Sequence, residues 1–259
     1  MRYGLIAALA VIAGGGTGLA YAMLTRPKAT AVEVKIDPPV VNRVTPTKAD
    51  LPTNLRHMTY TPPLICNGKP SPQPLSADGR LFGHYRYDEP PAADLVSPPA
   101  AFRGPNCQLI QRDMAASLNA LIAAAIKDDP AMGKSMIGVS CYRSIERQRG
   151  LFCNPAKLAA RGVAGQAKWI APPGFSEHAT GFVVDFGART IPQCHANPCF
   201  KTTRTGQWLA ANARKFGFEL SFREGNAQGV SYESWHYRWV ESAKAKEVFA
   251  PARAAFPAG

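Results

Sequence analysis

Residues 107–126, CQLIQRDMAASLNALIAAAI, and residues 136–142, MIGVSCY, place a helix and a strand close together in the chain. In the first stretch Ile110, Met114, Leu118, Leu121 and Ala125 recur at steps of four, four, three and four, the period of a helix with one buried face. In the second, Ile137, Val139 and Cys141 fall on one side of a half-buried strand, which delivers Arg143 at its end. Working outward, residues 144–151 read as a short helix. Residues 205–216 form another, presenting Trp208, Leu209 and Phe216 before Gly217 stops it. Alternation resumes at 218–222, a further strand spans 232–240, and a helix over 241–250 closes the chain. Helices and strands are interspersed without a repeated βαβ rhythm, so the expected fold is α+β, a mainly antiparallel sheet with packed helices.

The N-terminal side has a different composition. Residues 3–25 are uncharged after Arg2 and rich in Leu, Ile and Ala. They are long enough to span a bilayer, and Ala20-Tyr21-Ala22 also resembles a signal cleavage site, so residues 1–25 read as a signal peptide or a membrane anchor. Both readings export the rest. The run Gly14-Gly15-Gly16-Thr17-Gly18 follows no strand and is discarded as a dinucleotide loop. Fifteen of the 23 prolines fall between Pro27 and Pro105, which argues against long helices there. Residues 26–55 read as a tether and 56–105 as a proline-rich arm with Tyr60, Leu64, Leu81, Phe82, Tyr85 and Tyr87 offering burial. The compact domain is expected over 106–259. Thirty Lys and Arg against 18 Asp and Glu give a formal charge of +12, suited to a polyanionic partner such as the carboxylate-rich wall. No nucleic-acid motif accompanies that charge, and export argues against such a partner.

Two clusters carry chemistry: Pro173-Gly174-Phe175-Ser176-Glu177-His178-Ala179-Thr180-Gly181-Phe182-Val183-Val184-Asp185 and Tyr232-Glu233-Ser234-Trp235-His236-Tyr237. Together they offer two imidazoles and a carboxylate, a donor set that suits one Zn(II) with a fourth position left for water. His178 and Asp185 are an odd number of residues apart and on a straight strand would face opposite ways. They converge only if the chain bends, and Thr180-Gly181 supplies the bend. Glu233, three residues before His236, is placed to exchange a proton with a metal-activated water, which points to amide hydrolysis. No G-x-S-x-G elbow supports a serine hydrolase, and Gly133-Lys134-Ser135 lacks the first glycine of a phosphate loop. Trp169 and Trp235 are expected to line or buttress the pocket.

At these residues the sequence resembles the VanY-type D-alanyl-D-alanine carboxypeptidases, zinc peptidases that trim peptidoglycan stem peptides. The resemblance runs over residues 107–240 and includes Ser140-Cys141-Tyr142-Arg143-Ser144 with Gln148, the Ser-x-His-x-x-Gly-x-x-x-Asp core and the Glu-x-x-His close. It implies zinc on His178, Asp185 and His236, Glu233 as general base, and Arg143 polarising the scissile region. Gln148 and Ser176 match positions that hold the terminal D-residue and its carboxylate, although Ser176 also suits the cap of a turn. The implied reaction is removal of terminal D-alanine from peptidoglycan stem peptides at the cell envelope. Two alternatives stand beside it: an L,D-carboxypeptidase or other stem-peptide peptidase, and a noncatalytic zinc-containing wall-binding module.

Cys141 departs from the family, whose members usually carry a small residue there. Six cysteines in an exported chain imply disulfides. Local closeness favours Cys141–Cys153 and Cys194–Cys199, and Cys66–Cys107 would tie the proline-rich arm to the first helix. A rival reading makes Cys194, His195 and Cys199 a second metal site.

Overall fold

The computed structural model describes residues 65–66, 69–70 and 76–256; the expected N-terminal segment and tether lie outside the described residues. The main sheet has five strands: β1 (Arg103–Asn106), β2 (Met136–Ser140), β3 (Val183–Ala188), β4 (Phe218–Leu220) and β5 (His236–Trp239). Their spatial order is β1-β2-β3-β5-β4. β1 runs parallel to β2 and the other neighbours are antiparallel, so the α+β fold with a mainly antiparallel sheet is as the sequence indicates. Among the described residues six α-helices accompany the sheet: a single turn over Met132–Ser135 and the longer α1 (Ala115–Asp128), α2 (Ile145–Phe152), α3 (Pro155–Ala167), α4 (Arg204–Asn212) and α5 (Ala243–Ala255). Among the described residues, no helix is long and apolar enough to cross a membrane.

The stripe Ile110, Met114, Leu118, Leu121 and Ala125 is fully buried, yet the helix begins later than residue 107. Ile110–Gln111 pairs as a strand with Leu95–Val96, and the Gln111 amide donates to the Gly181 carbonyl at 2.9 Å. A 3-10 turn over Arg112–Met114 then leads into α1. Tertiary partners have taken backbone groups that an isolated helix would use, while the side-chain stripe survives. Tyr85 and Tyr87 join the same core as α1 and the sheet.

β2 is buried at every position but Val139 rather than half-buried, and it pairs along both edges with β1 and β3. A side chain at Gly138 would come within 2.6 Å of the Cys107 Sγ and of the Phe102 ring, so glycine lets the Cys107 segment close over the strand. Cys107 there bonds to Cys141, and Cys66 bonds to Cys153. These bonds replace the expected Cys66–Cys107 and Cys141–Cys153 pairs; only Cys194–Cys199 is as expected. The reason is topological: β1 and β2 run side by side, which carries Cys107 to the end of β2. The Cys194–Cys199 bond also removes both thiolates from the rival metal site, and His195 instead uses Nε2 with the Ala188 carbonyl at 3.0 Å.

Candidate metal centre and active-site cleft

Sheet register brings the two sequence clusters together. Asp185 on β3 stands opposite His236 on β5 and, on its other side, opposite Ser140 at the end of β2. His178 reaches the same place from a 3-10 turn over Glu177–Thr180 that ends at Gly181, where φ is 74°. A non-glycine residue is strained in that left-handed conformation, so the expected bend falls at Thr180-Gly181 for a backbone reason. The Thr180 hydroxyl fixes the turn, donating to the Glu177 carbonyl at 2.7 Å and accepting from the Phe182 amide at 3.1 Å.

His178, Asp185 and His236 are buried, and their ligand atoms lie within 4.8 Å of one another. His178 Nε2 is 3.0 Å from one Asp185 oxygen and His236 Nδ1 is 3.0 Å from the other. The remaining ring nitrogens are taken by acceptors: His178 Nδ1 donates to the Cys141 carbonyl at 2.7 Å, and His236 Nε2 to Glu177 at 2.9 Å. A neutral imidazole carries one N–H, so these bonds aim the free lone pair of each ring at a carboxylate that also only accepts. Three converging acceptors repel one another unless a cation lies between them, and two imidazoles with one carboxylate match the donor types zinc takes. The residues therefore fit the metal.

The charges agree. Burial opposes the imidazolium of His236, but hydrogen bonds to Asp185 and Glu177 outweigh it and push its pKa up to about 10. A proton thus serves there as the cation when no metal does. Burial lowers His178 to about 4. Asp185, despite burial, is held well below the usual carboxylate range by the two histidines. Burial raises Glu233 to about 8, helped by the charges of Asp185 and Glu177 against those of His236 and Arg143. Its carboxylate lies 3.5 Å from His236 Nδ1.

Arg143, just beyond β2, donates to Gln148 Oε1 at 2.7 Å and to the Ser140 hydroxyl at 2.9 Å, with Asp185 3.9 Å away. Gln148 is buried on α2 and donates in turn to the Ala171 carbonyl at 2.6 Å. Ser176 is buried and makes no side-chain capping bond, so the alternative role as a cap has no hydrogen bond behind it. Arg143, Gln148, Ser176, Glu233 and the His178, Asp185, His236 triad line one cavity of about 330 Å³, with Trp169, Trp235 and Phe222 among its walls.

Glu177 is the residue the sequence reading missed. It accepts from His236 Nε2, the Ser221 hydroxyl at 2.5 Å and Arg238 Nη1 at 3.0 Å. Burial alone would raise its pKa, but Arg238, His236 and Ser221 hold it down at about 2. Arg238 also donates to Glu219 at 2.7 Å, and Glu219 accepts from Arg253 of α5 at 3.0 Å. A signal was available: Arg238 sits between Tyr237 and Trp239 in an apolar strand, where a charge needs a buried partner.

The D-alanyl-D-alanine carboxypeptidase (VanY) family model matches residues 108–242, just over half of the chain. The protein belongs to the VanY family. It is 33% identical over 162 residues to the protein YodJ of Bacillus subtilis (strain 168), covering 60% of this chain and 56% of that one. It is 34% identical over 128 residues to a D-alanyl-D-alanine carboxypeptidase of Enterococcus faecalis (strain ATCC 700802 / V583), covering 46% of this chain and 45% of the relative. The match thus spans about half the length of each relative. Among solved structures, that of the LdcB LD-carboxypeptidase is similar at a TM-score of 0.50 and 31% identity, over 63% of this chain and 73% of the other. The VanY family model and the Enterococcus faecalis relative are both described as D-alanyl-D-alanine carboxypeptidases.

Proposed function

We propose that this VanY-family protein is a zinc-dependent D,D-carboxypeptidase of the cell envelope that removes terminal D-alanine from peptidoglycan stem peptides. The observation that carries the reading is the convergence of His178 Nε2, Asp185 and His236 Nδ1 beside Glu233 in one cavity. His178, Asp185 and His236 would hold the zinc, one ion per chain. When bound, zinc polarises a carbonyl and lowers the pKa of water from about 16 towards 7.

The protein groups supply the rest. Glu233, whose carboxylate lies 3.5 Å from His236 Nδ1, accepts a proton from the attacking water in its ionised form and passes it to the leaving amine. Two of Arg143's N–H groups are engaged by Gln148 and Ser140, leaving others for the oxygen on which negative charge grows. Gln148 and Ser176 hold the end that departs, with its free carboxylate. Export through residues 1–25, as a cleaved signal or as an anchor, is part of the same proposal, as are the tether at 26–55, the arm at 56–105 and the peptidase domain at 106–259.

Glu233→Ala is expected to keep zinc bound and to lower D-alanine release by about 10²- to 10⁴-fold. Metal content and single-turnover release from a D-alanyl-D-alanine peptide are the two measurements. Normal turnover in the variant overturns the role of Glu233. The likeness to an LD-carboxypeptidase structure favours a second reading, in which the same centre cuts an L,D bond. Defined penta-, tetra- and tripeptide stems, with the released amino acid identified by mass, separate the two.

A further inference from the structure

The cleft has an outer wall that the reaction above does not use. From Asn154 to Ala171 the chain carries Lys157, Arg161 and Lys168 and no acidic residue. All three line the same cavity as the metal-ligand triad. Lys157 and Arg161 are four apart on the first half of α3, ahead of the break at Gly162, and so share a face. Among the described residues none of the three has an ion-pair partner, and α3 itself carries no acid one turn away that could supply one. Trp169 adds a ring that is 52% exposed, with the Arg161 guanidinium 5.7 Å from its centroid.

The wall is anchored to the site. Its backbone carbonyls at Ala167, Lys168 and Ala171 accept from His84, the Ser231 amide and Gln148, at 2.8, 2.9 and 2.6 Å. The cations therefore belong to a surface held in place against the inner groups. A peptide entering carboxyl end first puts its terminal carboxylate beside Gln148 and Ser176 and its scissile carbonyl beside Arg143. Its upstream residues, spaced roughly 3.3 Å apart when extended, then lie at the mouth.

We propose that Lys157, Arg161 and Lys168, braced by Trp169, form a subsite for a second carboxylate of the substrate, on the third residue upstream of the scissile amide. This deepens the carboxypeptidase reading and rests on it. The enzyme thereby prefers peptides that are anionic at both the end and the middle.

The test uses two peptides ending in D-alanyl-D-alanine that differ only in a carboxylate or carboxamide on the third residue upstream of the cut. With the zinc-loaded full chain at low salt, KM is expected to be about five- to tenfold lower for the carboxylate peptide, and the ratio should shrink as salt screens the contact. In the double variant Lys157→Gln/Arg161→Gln the ratio should fall towards one; Lys168→Gln alone should reduce it part of the way. Equal KM values in the wild type, or an undiminished ratio in the double variant, overturn the subsite. If neither peptide releases D-alanine, the carboxypeptidase reading fails instead. Calorimetric Kd values for the same two peptides then decide the subsite, equal values ending it and a carboxylate preference lost in the double variant supporting it.

Discussion

At the scale of single residues, the candidate centre depends on which nitrogen of each histidine carries the proton. Glu177 settles this for His236, because its carboxylate accepts from Nε2 and leaves Nδ1 facing Asp185. Groups that orient a ligand histidine in this way typically contribute about 10- to 100-fold in metal affinity. Glu177→Ala should therefore weaken zinc binding by roughly 100-fold, and the isosteric Glu177→Gln by roughly tenfold, since an amide can still accept but can also turn its donor inward. Competition with a chromophoric chelator measures the affinities. Nitrogen chemical shifts of His236 report the tautomer, which a merely structural role for Glu177 would leave unchanged. A folded Glu177→Ala protein with undiminished affinity would falsify this role. His178, Asp185, His236 and Glu233 were legible because metal chemistry restricts the residue types and their spacing. For Glu177 only the need of Arg238 for a buried acid was legible; which histidine nitrogen its carboxylate meets is not written in one dimension.

At the scale of elements, α1 and β2 follow from periodicity, α2 and α5 are read as short helices without it, and α3 was missed. Its apolar positions are mostly alanines, which mark a buried face weakly, and Gly162 breaks it, although Asn154 caps it through the Lys157 amide and Pro155 opens it. Those two end signals mark a helix start even where periodicity is silent. The disulfides were misassigned because nearness along the chain does not foretell strand adjacency; Cys66 and Cys153 are separated by 87 residues. The Cys107–Cys141 bond bears on the site, since the Cys141 carbonyl accepts from His178. Its 34-residue separation compares with 5 for Cys194–Cys199. On a chain-entropy basis, removing them costs about 4 and about 2 kcal/mol respectively. Replacing both Cys107 and Cys141 with Ser should lower Tm more than replacing Cys194 and Cys199, and should weaken zinc binding, which the second pair should not. Equal zinc affinities in the two variants would show that the Cys141 carbonyl keeps its place without the bond.

For the whole molecule, metal binding and folding share one set of buried charges, so stability should depend on pH differently with and without zinc. In the metal-free protein His236 is raised from 6.5 to about 10, a contribution fully present below about pH 6.5 and lost as pH rises through 10. Glu233, raised from 4.5 to about 8, acts in the same direction: the folded state keeps a proton that the unfolded chain gives up, so stability declines between those values. Glu177, lowered to about 2, and Asp185, lowered further, contribute in full above the usual carboxylate range and add no slope from pH 6 to 9. The metal-free protein should therefore lose Tm steadily over that interval. Zinc requires His236 neutral, so it releases about one proton on binding and its apparent affinity rises about tenfold per pH unit while His236 stays protonated. At a free zinc concentration 100 times Kd the stabilisation is about 2.7 kcal/mol, and it grows as protons compete less. The Tm difference between zinc-loaded and chelated protein should widen from pH 6 to pH 9. Calorimetry in buffers of different ionisation enthalpy should count the released proton. Parallel Tm curves, or binding without proton release, would mean that His236 does not share its site with the metal.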